Sequence, residues 1–271
     1  MEHVTQMQQH YRKFIDACHI LHHQQVLDTD GHISFRHPRR DDVFIMPRDM
    51  AAGAVSSEAD LVEYSTTGAL PLDPTSPAGH AERFIHAEIY KQYTHVHAIV
   101  HSHSPAVIPY TISRVRLKPC SPTAGFLRAC GPPVFDAATY ATANLAGDSP
   151  PADLLVRDEY LGRKLAYRFS QGDVVALMRA HGFTAVAEST EQAVFRAVCT
   201  HRNAEVLTTA LAVQAAAQRA GSFPQAATPG IHYLSEEEVA AAAAGEAAAV
   251  RRAWEMWVRE VRAAAVYVNS A

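Results

Sequence analysis

The sequence predicts an α/β fold in which helices are layered on a central sheet. Segments with apolar residues at helical spacing alternate along the chain with short apolar or alternating segments typical of strands. Of the 271 residues, 48% are hydrophobic and 19% are charged, which is a globular composition. This length is sufficient for a sizeable core. We therefore expect one large α/β domain followed by a helical C-terminal part.

The first third of the chain predicts one helix followed by three strands. Residues 5–27 carry apolar side chains at helical spacing and form the opening helix. Turn residues Thr29, Asp30 and Gly31 then lead into an alternating strand at residues 32–36. Further strands are predicted at 43–46 and 61–64.

The middle and the end of the chain continue the alternation. A helix at 81–93 precedes the apolar strand that ends in His101-Ser102-His103. The remaining predictions are a short strand at 134–135, a surface linker at 144–153, a helix at 160–169, a buried strand at 173–178 with a hairpin partner at 183–186, and a helix from Ser189 or Thr190 to about 220. A final helix over 235–266 begins with a capping box of Ser235 and Glu238. We predict a main domain over residues 1–230 and a C-terminal helical extension over 231–271, packed on the same domain or on a neighbouring subunit.

Composition excludes several classes of partner. The net charge of −4 gives no reason to expect binding to nucleic acid or to acidic membranes. No apolar run reaches the roughly 18 residues that a membrane span needs, and the polar N-terminus lacks a signal peptide. The four cysteines are widely spaced, which favours ordinary reduced thiols. The expected location is the cytoplasm.

The most informative motif is the histidine pair His101 and His103. Side chains two residues apart leave a strand from the same face, so both imidazoles can reach one metal ion. Glu82 lies on the preceding helix, and His181 follows a buried strand and precedes Gly182, which permits a tight turn. Three imidazoles and one carboxylate form a usual site for Zn²⁺, our first choice, and they also suit Mn²⁺, Fe²⁺ or Co²⁺. A metal with an open position there would be a Lewis acid.

These residues resemble a known family. The runs Glu82-Arg83-Phe84-Ile85-His86, His101-Ser102-His103 and Ala180-His181-Gly182, together with Gly31-His32-Ile33-Ser34-Phe35-Arg36, are similar to the class II aldolase/adducin-type family. The resemblance covers roughly residues 8–220. It implies a single three-layer α/β/α domain with a mostly antiparallel central sheet. It also implies a homotetramer with sites at subunit interfaces, and one divalent metal per subunit held by His101, His103 and His181, with Glu82 as acid/base and fourth ligand.

Departures from the sugar-phosphate members of that family indicate the substrate class. Those members carry a Gly-Asn-x-Ser-x-Arg loop and a Pro-Ser-Ser-Glu stretch that hold a phosphate. Here His32 replaces the Asn, and Gly79-His80-Ala81-Glu82 replaces the second stretch. The replacements are similar to the branch that decarboxylates hydroxylated aromatic or pyridine dicarboxylates. Because both serine hydroxyls of the Pro-Ser-Ser-Glu stretch are absent here, we do not expect this chain to bind a phosphate as those members do.

The leading hypothesis is a metal-dependent carbon–carbon lyase that decarboxylates a small, non-phosphorylated hydroxy acid, aromatic or of β-keto type, through a metal-stabilised enolate. One alternative is an aldolase, cyclase or epimerase acting on a non-phosphorylated carbonyl compound. The adducin type suggests a third reading, a non-catalytic binding module. The presence of all four metal-ligand residues argues against that reading.

Four further residues are candidates for the site. His80, two residues before Glu82, is predicted to contact a substrate carboxylate or to deliver a proton, and a solvent-facing loop histidine is its alternative. His86 shares the helix face of Glu82 and is expected to line the pocket or to pack. Arg36 is suited to bidentate binding of a carboxylate, with a structural ion pair as its alternative, and Ser34 lies on the same side of the strand.

Overall fold

A computed structural model describes residues 6–77, 79–141, 153–220 and 230–271 of the chain. The first half contains α1 (Gln6–His23), β1 (His32–Arg36), β2 (Val43–Pro47), β3 (Leu61–Ser65), α2 (Arg83–Gln92), β4 (Ala98–Ser102), α3 (Ile108–Ile112), β5 (Val134–Phe135) and α4 (Ala138–Ala141). The second half contains α5 (Glu159–Ala166), β6 (Val175–Met178), β7 (Gly182–Ala187), α6 (Thr190–Arg219), α7 (Glu236–Ala244) and α8 (Glu246–Ala263).

The strands form one seven-stranded sheet in the order β3-β2-β1-β4-β7-β6-β5. Every neighbouring pair is antiparallel except β5 and β6, which are parallel. The predicted mostly antiparallel sheet is therefore confirmed. In its centre, β1 and β4 pair with His32 opposite His101 and Ser34 opposite Ile99.

Helices cover both faces of the sheet, which confirms the predicted three-layer fold. On one face, Phe14 of α1, Val194 of α6 and Trp257 of α8 pack into a core with strand residues such as Val100. On the other face, α2 and α5 pack on a second core that includes Ile99. Because strand side chains alternate, Ile99 and His101 leave β4 towards the α2 side.

Most predicted elements agree with the structure to within a few residues. The C-terminal segment differs, because two helices replace the single helix predicted over 235–266. The capping box of Ser235 and Glu238 is present at the start of α7, but Gly245 ends that helix and α8 begins at Glu246. Glycine favours helix interruption because it has no side chain to restrict its backbone. The linker predicted at 144–153 lies, except for Asp153, outside the described residues.

Within the described parts of the chain, the helices are all too short or too polar to span a bilayer.

Candidate metal centre

The end of strand β4 places the His-x-His pair. His101 is the fourth residue of β4 and is completely buried, whereas His103 lies one residue beyond the strand and is partly exposed. The two Nε2 atoms are 3.0 Å apart. The pair therefore converges on one point, as expected, although the chain leaves the sheet between the two rings.

The β6–β7 hairpin delivers His181 to the same point. Its backbone N–H donates to Met178 O, and the left-handed Ala180 precedes it. Gly182 follows with a φ of +150°, and a Cβ built on it would lie 1.9 Å from the Ser102 carbonyl oxygen. Only glycine permits this approach of the hairpin to β4. His181 Nε2 consequently lies 3.1 Å from His103 Nε2.

Glu82 completes the cluster from the residue before α2. Its Oε1 accepts a hydrogen bond of 2.8 Å from the backbone N–H of Val156, which fixes the carboxylate. Its Oε2 lies 3.4 Å from His101 Nε2 and 3.3 Å from His181 Nε2. The structure therefore brings together all four residues predicted as metal ligands.

The geometry of this cluster fits a metal ion. One ligand atom from each of Glu82, His101, His103 and His181 lies within 4.8 Å of the other three. Tetrahedral ligands about 2.0–2.1 Å from zinc lie about 3.4 Å from one another. The contacts of 3.0 to 3.4 Å agree with that spacing. Unprotonated imidazole nitrogens this close would repel one another without a cation between them.

The electrostatics of the cluster also favour metal binding. Burial alone would raise the pKa of Glu82, but the His101 and His181 rings hold the pKa of this carboxyl well below its ordinary value. Burial lowers the pKa of His101 to about 4, although Glu82 opposes this shift. Metal ligands must be deprotonated carboxylates and neutral imidazoles, and these shifts favour both forms.

Two residues that orient the histidines were not identified from the sequence. Asp28 Oδ2 lies 3.2 Å from His103 Nδ1, and Thr184 Oγ1 lies 3.3 Å from His101 Nδ1. Such contacts on the far ring nitrogen fix the tautomer and leave Nε2 free for a metal. Asp28 belongs to a turn-forming segment, and Thr184 faces His101 across the β4–β7 pairing. Neither contact has a local sequence signal.

His80 lies beside the cluster. It is buried, its Nδ1 lies 3.7 Å from Asp49 Oδ1, and its Nε2 has no hydrogen-bond partner among the described residues. Its ring centroid is 5.0 Å from that of His32. Burial lowers the pKa of His80, and Asp49 offsets part of this shift. The solvent-facing alternative for His80 is therefore wrong.

Ser34 and His86 are buried behind the cluster. Ser34 Oγ lies 2.6 Å from His86 Nδ1 and 2.8 Å from the Tyr90 hydroxyl. His86 Nε2 in turn lies 2.7 Å from His32 Nδ1. Ser34 and His86 thus support His32, whose only signal in the sequence is its departure from the family pattern.

Arg36 requires a correction, because its guanidinium faces away from the cluster. It lies at the opposite end of β1 from His32, about 13 Å along the strand. Its N–H groups donate to the backbone carbonyls of Asp41, Tyr90, Tyr93 and Val96. The predicted carboxylate-binding role is not compatible with these contacts. Arg36 instead ties the end of α2 to β1.

Comparison with known proteins agrees with this site. The model of the family described as Class II Aldolase and Adducin N-terminal domain matches residues 12–208. Decarboxylase tropJ of Talaromyces stipitatus is 44% identical over 267 residues, covering 96% of this chain and 97% of that protein. The 3,4-dihydroxyphthalate decarboxylase of Arthrobacter keyseri is 27% identical over 191 residues, covering 67% and 71% respectively.

Solved structures share the fold. An aldolase II superfamily protein from Pseudomonas syringae has a TM-score of 0.70 at 18% identity, with 97% of this chain and 96% of that chain covered. L-fuculose 1-phosphate aldolase from Glaciozyma antarctica has a TM-score of 0.67 at 15% identity, with 96% and 92% covered.

The relatives are named as decarboxylases or as an aldolase, and both names denote lyases, which confirms the prediction of a lyase. The resemblance inferred from the motifs, including its decarboxylase side, is confirmed as well. The family model spans more than half of the chain, and one relative matches nearly all of it. The chain belongs to the class II aldolase and adducin N-terminal domain family.

Proposed function

We propose that this enzyme is a divalent-metal-dependent decarboxylase of small, non-phosphorylated hydroxy acids, aromatic or of β-keto type. The observation that carries the proposal is the convergence of three imidazoles and one carboxylate on a single point. Support comes from the 44% identity to a protein named as a decarboxylase. A second relative is named for 3,4-dihydroxyphthalate, a hydroxylated aromatic diacid.

His101, His103, His181 and Glu82 are the proposed ligands, with Zn²⁺ as the first choice and Mn²⁺, Fe²⁺ or Co²⁺ as alternatives. When bound, the ion supplies Lewis-acid stabilisation of the negative charge that develops on a substrate oxygen. The contacts of Asp28 and Thr184 hold two of the rings with Nε2 towards the cluster. Both Glu82 oxygens face fixed partners, which favours its ligand role over the acid/base role predicted beside it.

The proposed proton donor is His80. In decarboxylation the bond between the substrate carbon and the carboxylate breaks, carbon dioxide leaves, and the electron pair stays on that carbon. A proton must then reach that carbon. His80 Nε2 is buried, and the His80 ring lies against His32, which neighbours the ligand His101, while Asp49 near Nδ1 is exposed. This arrangement supports transfer of a proton from the solvent side to the substrate through His80.

The proposed assembly is a homotetramer with active sites at subunit interfaces. His103 is the most exposed of the four proposed ligands and its partner Asp28 is half exposed, which supports closure by a second subunit. Light scattering coupled to size-exclusion chromatography measures the mass in solution. A monomer that retains full activity would refute the interface site.

Metal removal tests the proposed function. Chelation should abolish carbon dioxide release from 3,4-dihydroxyphthalate and from related hydroxy acids, and added Zn²⁺ or Mn²⁺ should restore it. His101→Gln should lose metal and activity together, whereas His97→Gln, at an exposed histidine four residues earlier, should lose neither. Release of an aldehyde or ketone without carbon dioxide would favour the aldolase alternative. A protein without metal, with His101→Gln functionally silent, would refute an enzymatic role for the cluster.

A further inference from the structure

A buried chain of hydrogen bonds leads from helix α2 to the metal cluster. The Tyr90 hydroxyl lies 2.8 Å from Ser34 Oγ, which lies 2.6 Å from His86 Nδ1. His86 Nε2 lies 2.7 Å from His32 Nδ1. All four side chains are at most 2% exposed. These four side chains are therefore shielded from bulk water.

The direction of hydrogen-bond donation along these four residues follows from the end at Tyr90. Among the described residues, Ser34 is the only hydrogen-bond partner of the Tyr90 hydroxyl. A buried O–H without an acceptor is costly, so Tyr90 donates to Ser34. Ser34 must then donate to His86 Nδ1, which leaves the His86 proton on Nε2. That proton is donated to His32 Nδ1, and His32 carries its own proton on Nε2.

His32 Nε2 is a buried donor without a partner. It has no hydrogen bond to any described residue, although the ring is only 2% exposed. Its Nδ1 faces His86, so Nε2 lies on the opposite side of the ring. The His32 ring is 4.9 Å from the His101 ring and 5.0 Å from the His80 ring. The ring that carries this unpartnered nitrogen therefore neighbours both a proposed metal ligand and the proposed proton donor.

We infer that the Tyr90–Ser34–His86–His32 chain presents His32 Nε2–H to the carboxylate of the substrate. This inference rests on the proposed function, because it assigns the group that is lost as carbon dioxide. An anionic oxygen is the acceptor that best compensates an unpaired buried N–H. The proton that replaces the carboxylate must arrive at the same carbon, and His80 adjoins His32 there. Tyr90, Ser34 and His86 are positioning residues in this arrangement.

The tautomer of His32 tests the chain without any substrate. In the zinc-loaded enzyme labelled with ¹⁵N-histidine, His32 should be protonated on Nε2. Tyr90→Phe removes the terminal donor, so the Nε2–H form should lose population. Tyr93→Phe is the matched control, because Tyr93 donates to Ala166 O outside the chain. A His32 protonated on Nδ1, or equal tautomer populations in all three proteins, would overturn the inferred direction.

Ligand binding tests the assigned acceptor. Salicylate carries a hydroxyl and a carboxylate, whereas catechol carries two hydroxyls. His32→Leu should weaken salicylate binding to the zinc-loaded enzyme at least about tenfold, the scale of one hydrogen bond to a charged group. The catechol affinity should change less than the salicylate affinity, because at most one neutral contact is lost, and the Zn²⁺ affinity should change less than about threefold, because no proposed ligand is lost. His32→Gln, which retains a donor near Nε2, should recover part of the salicylate affinity.

Three results would overturn the carboxylate assignment: equal losses for salicylate and catechol in His32→Leu, an unchanged salicylate affinity, or no salicylate binding by the wild type. Tyr90→Phe preserves the shape of the core and provides the same comparison if His32→Leu does not fold. An enzyme that binds salicylate through His32 but releases no carbon dioxide from any hydroxy acid would instead refute only the proposed reaction.

Discussion

Asp28→Asn should weaken metal binding although Asp28 is not a proposed ligand. Asp28 Oδ1 accepts from the backbone N–H groups of Gly31 and Asp30 at 2.7 and 3.1 Å, while Oδ2 faces His103 Nδ1. Burial alone would raise the pKa of Asp28, but these hydrogen bonds and His103 keep it below its ordinary value. Asparagine has one carboxamide oxygen. If that oxygen remains on the turn, the amide NH₂ faces His103.

This exchange favours the wrong histidine tautomer. With an NH₂ group opposite Nδ1, His103 is stabilised with its proton on Nε2, where the metal would bind. Loss of such an orienting partner lowers metal affinity about 10- to 100-fold. Asp28 is half exposed and the contact is 3.2 Å, so we expect the lower end of this range. The expected loss is about tenfold, or about 1.4 kcal/mol.

Competition with a chromophoric chelator measures the Zn²⁺ affinity of each variant. Asp30→Asn is the matched control, because Asp30 accepts only from Thr29 Oγ1 among the described side chains and lies in the same turn. Thermal unfolding of the metal-free proteins should differ little, since asparagine can keep the turn hydrogen bonds. Equal Zn²⁺ affinities for wild type and Asp28→Asn would refute the orienting role of Asp28.

Three further predictions concern stability. Burial holds the pKa values of His32 and His86 well below the ordinary histidine value. The unfolded state therefore binds more protons than the folded state below about pH 6.5, and each histidine removes about 1.4 kcal/mol of stability per pH unit as the pH falls. A urea midpoint of the metal-free protein that stays constant from about pH 7.5 to 5.5 would contradict this prediction. Arg36→Lys should lower the free energy of unfolding in urea by about 2–4 kcal/mol, because lysine cannot donate to all four carbonyls. A large loss of Zn²⁺ affinity in this variant would instead indicate that Arg36 belongs to the site. Trp257→Ala should lower the free energy of unfolding by about 3–5 kcal/mol, since this side chain is only 6% exposed. Met256→Ala, at a side chain that is 54% exposed, should lower it by about 0.5 kcal/mol or less. Similar losses for both variants would show that α8 does not pack as described.

The sequence was sufficient for the metal ligands because the His-x-His pair has a local signal and because the motifs around Glu82 and His181 resemble those of the family. The spacing of His101 and His103 on an apolar strand predicts a shared face. Gly182 after His181 predicts a tight turn, and the cluster contains His101, His103 and His181 together with Glu82. Arg36 misled the prediction, because its residue type suits a carboxylate while its donors are used by backbone carbonyls of α2 and its surroundings.

The sequence by itself determined the layered α/β fold and the four-residue donor set, since periodicity and residue type are local properties of the chain. Only the tertiary structure decided what surrounds the donors. The Asp28 contact spans 75 positions, and the contact between His32 and His86 spans 54. These contacts depend on the register of β1 against β4 and on the placement of α2 over the sheet. Such packing is a property of the folded chain, so no local pattern reports which side chain lies behind each imidazole.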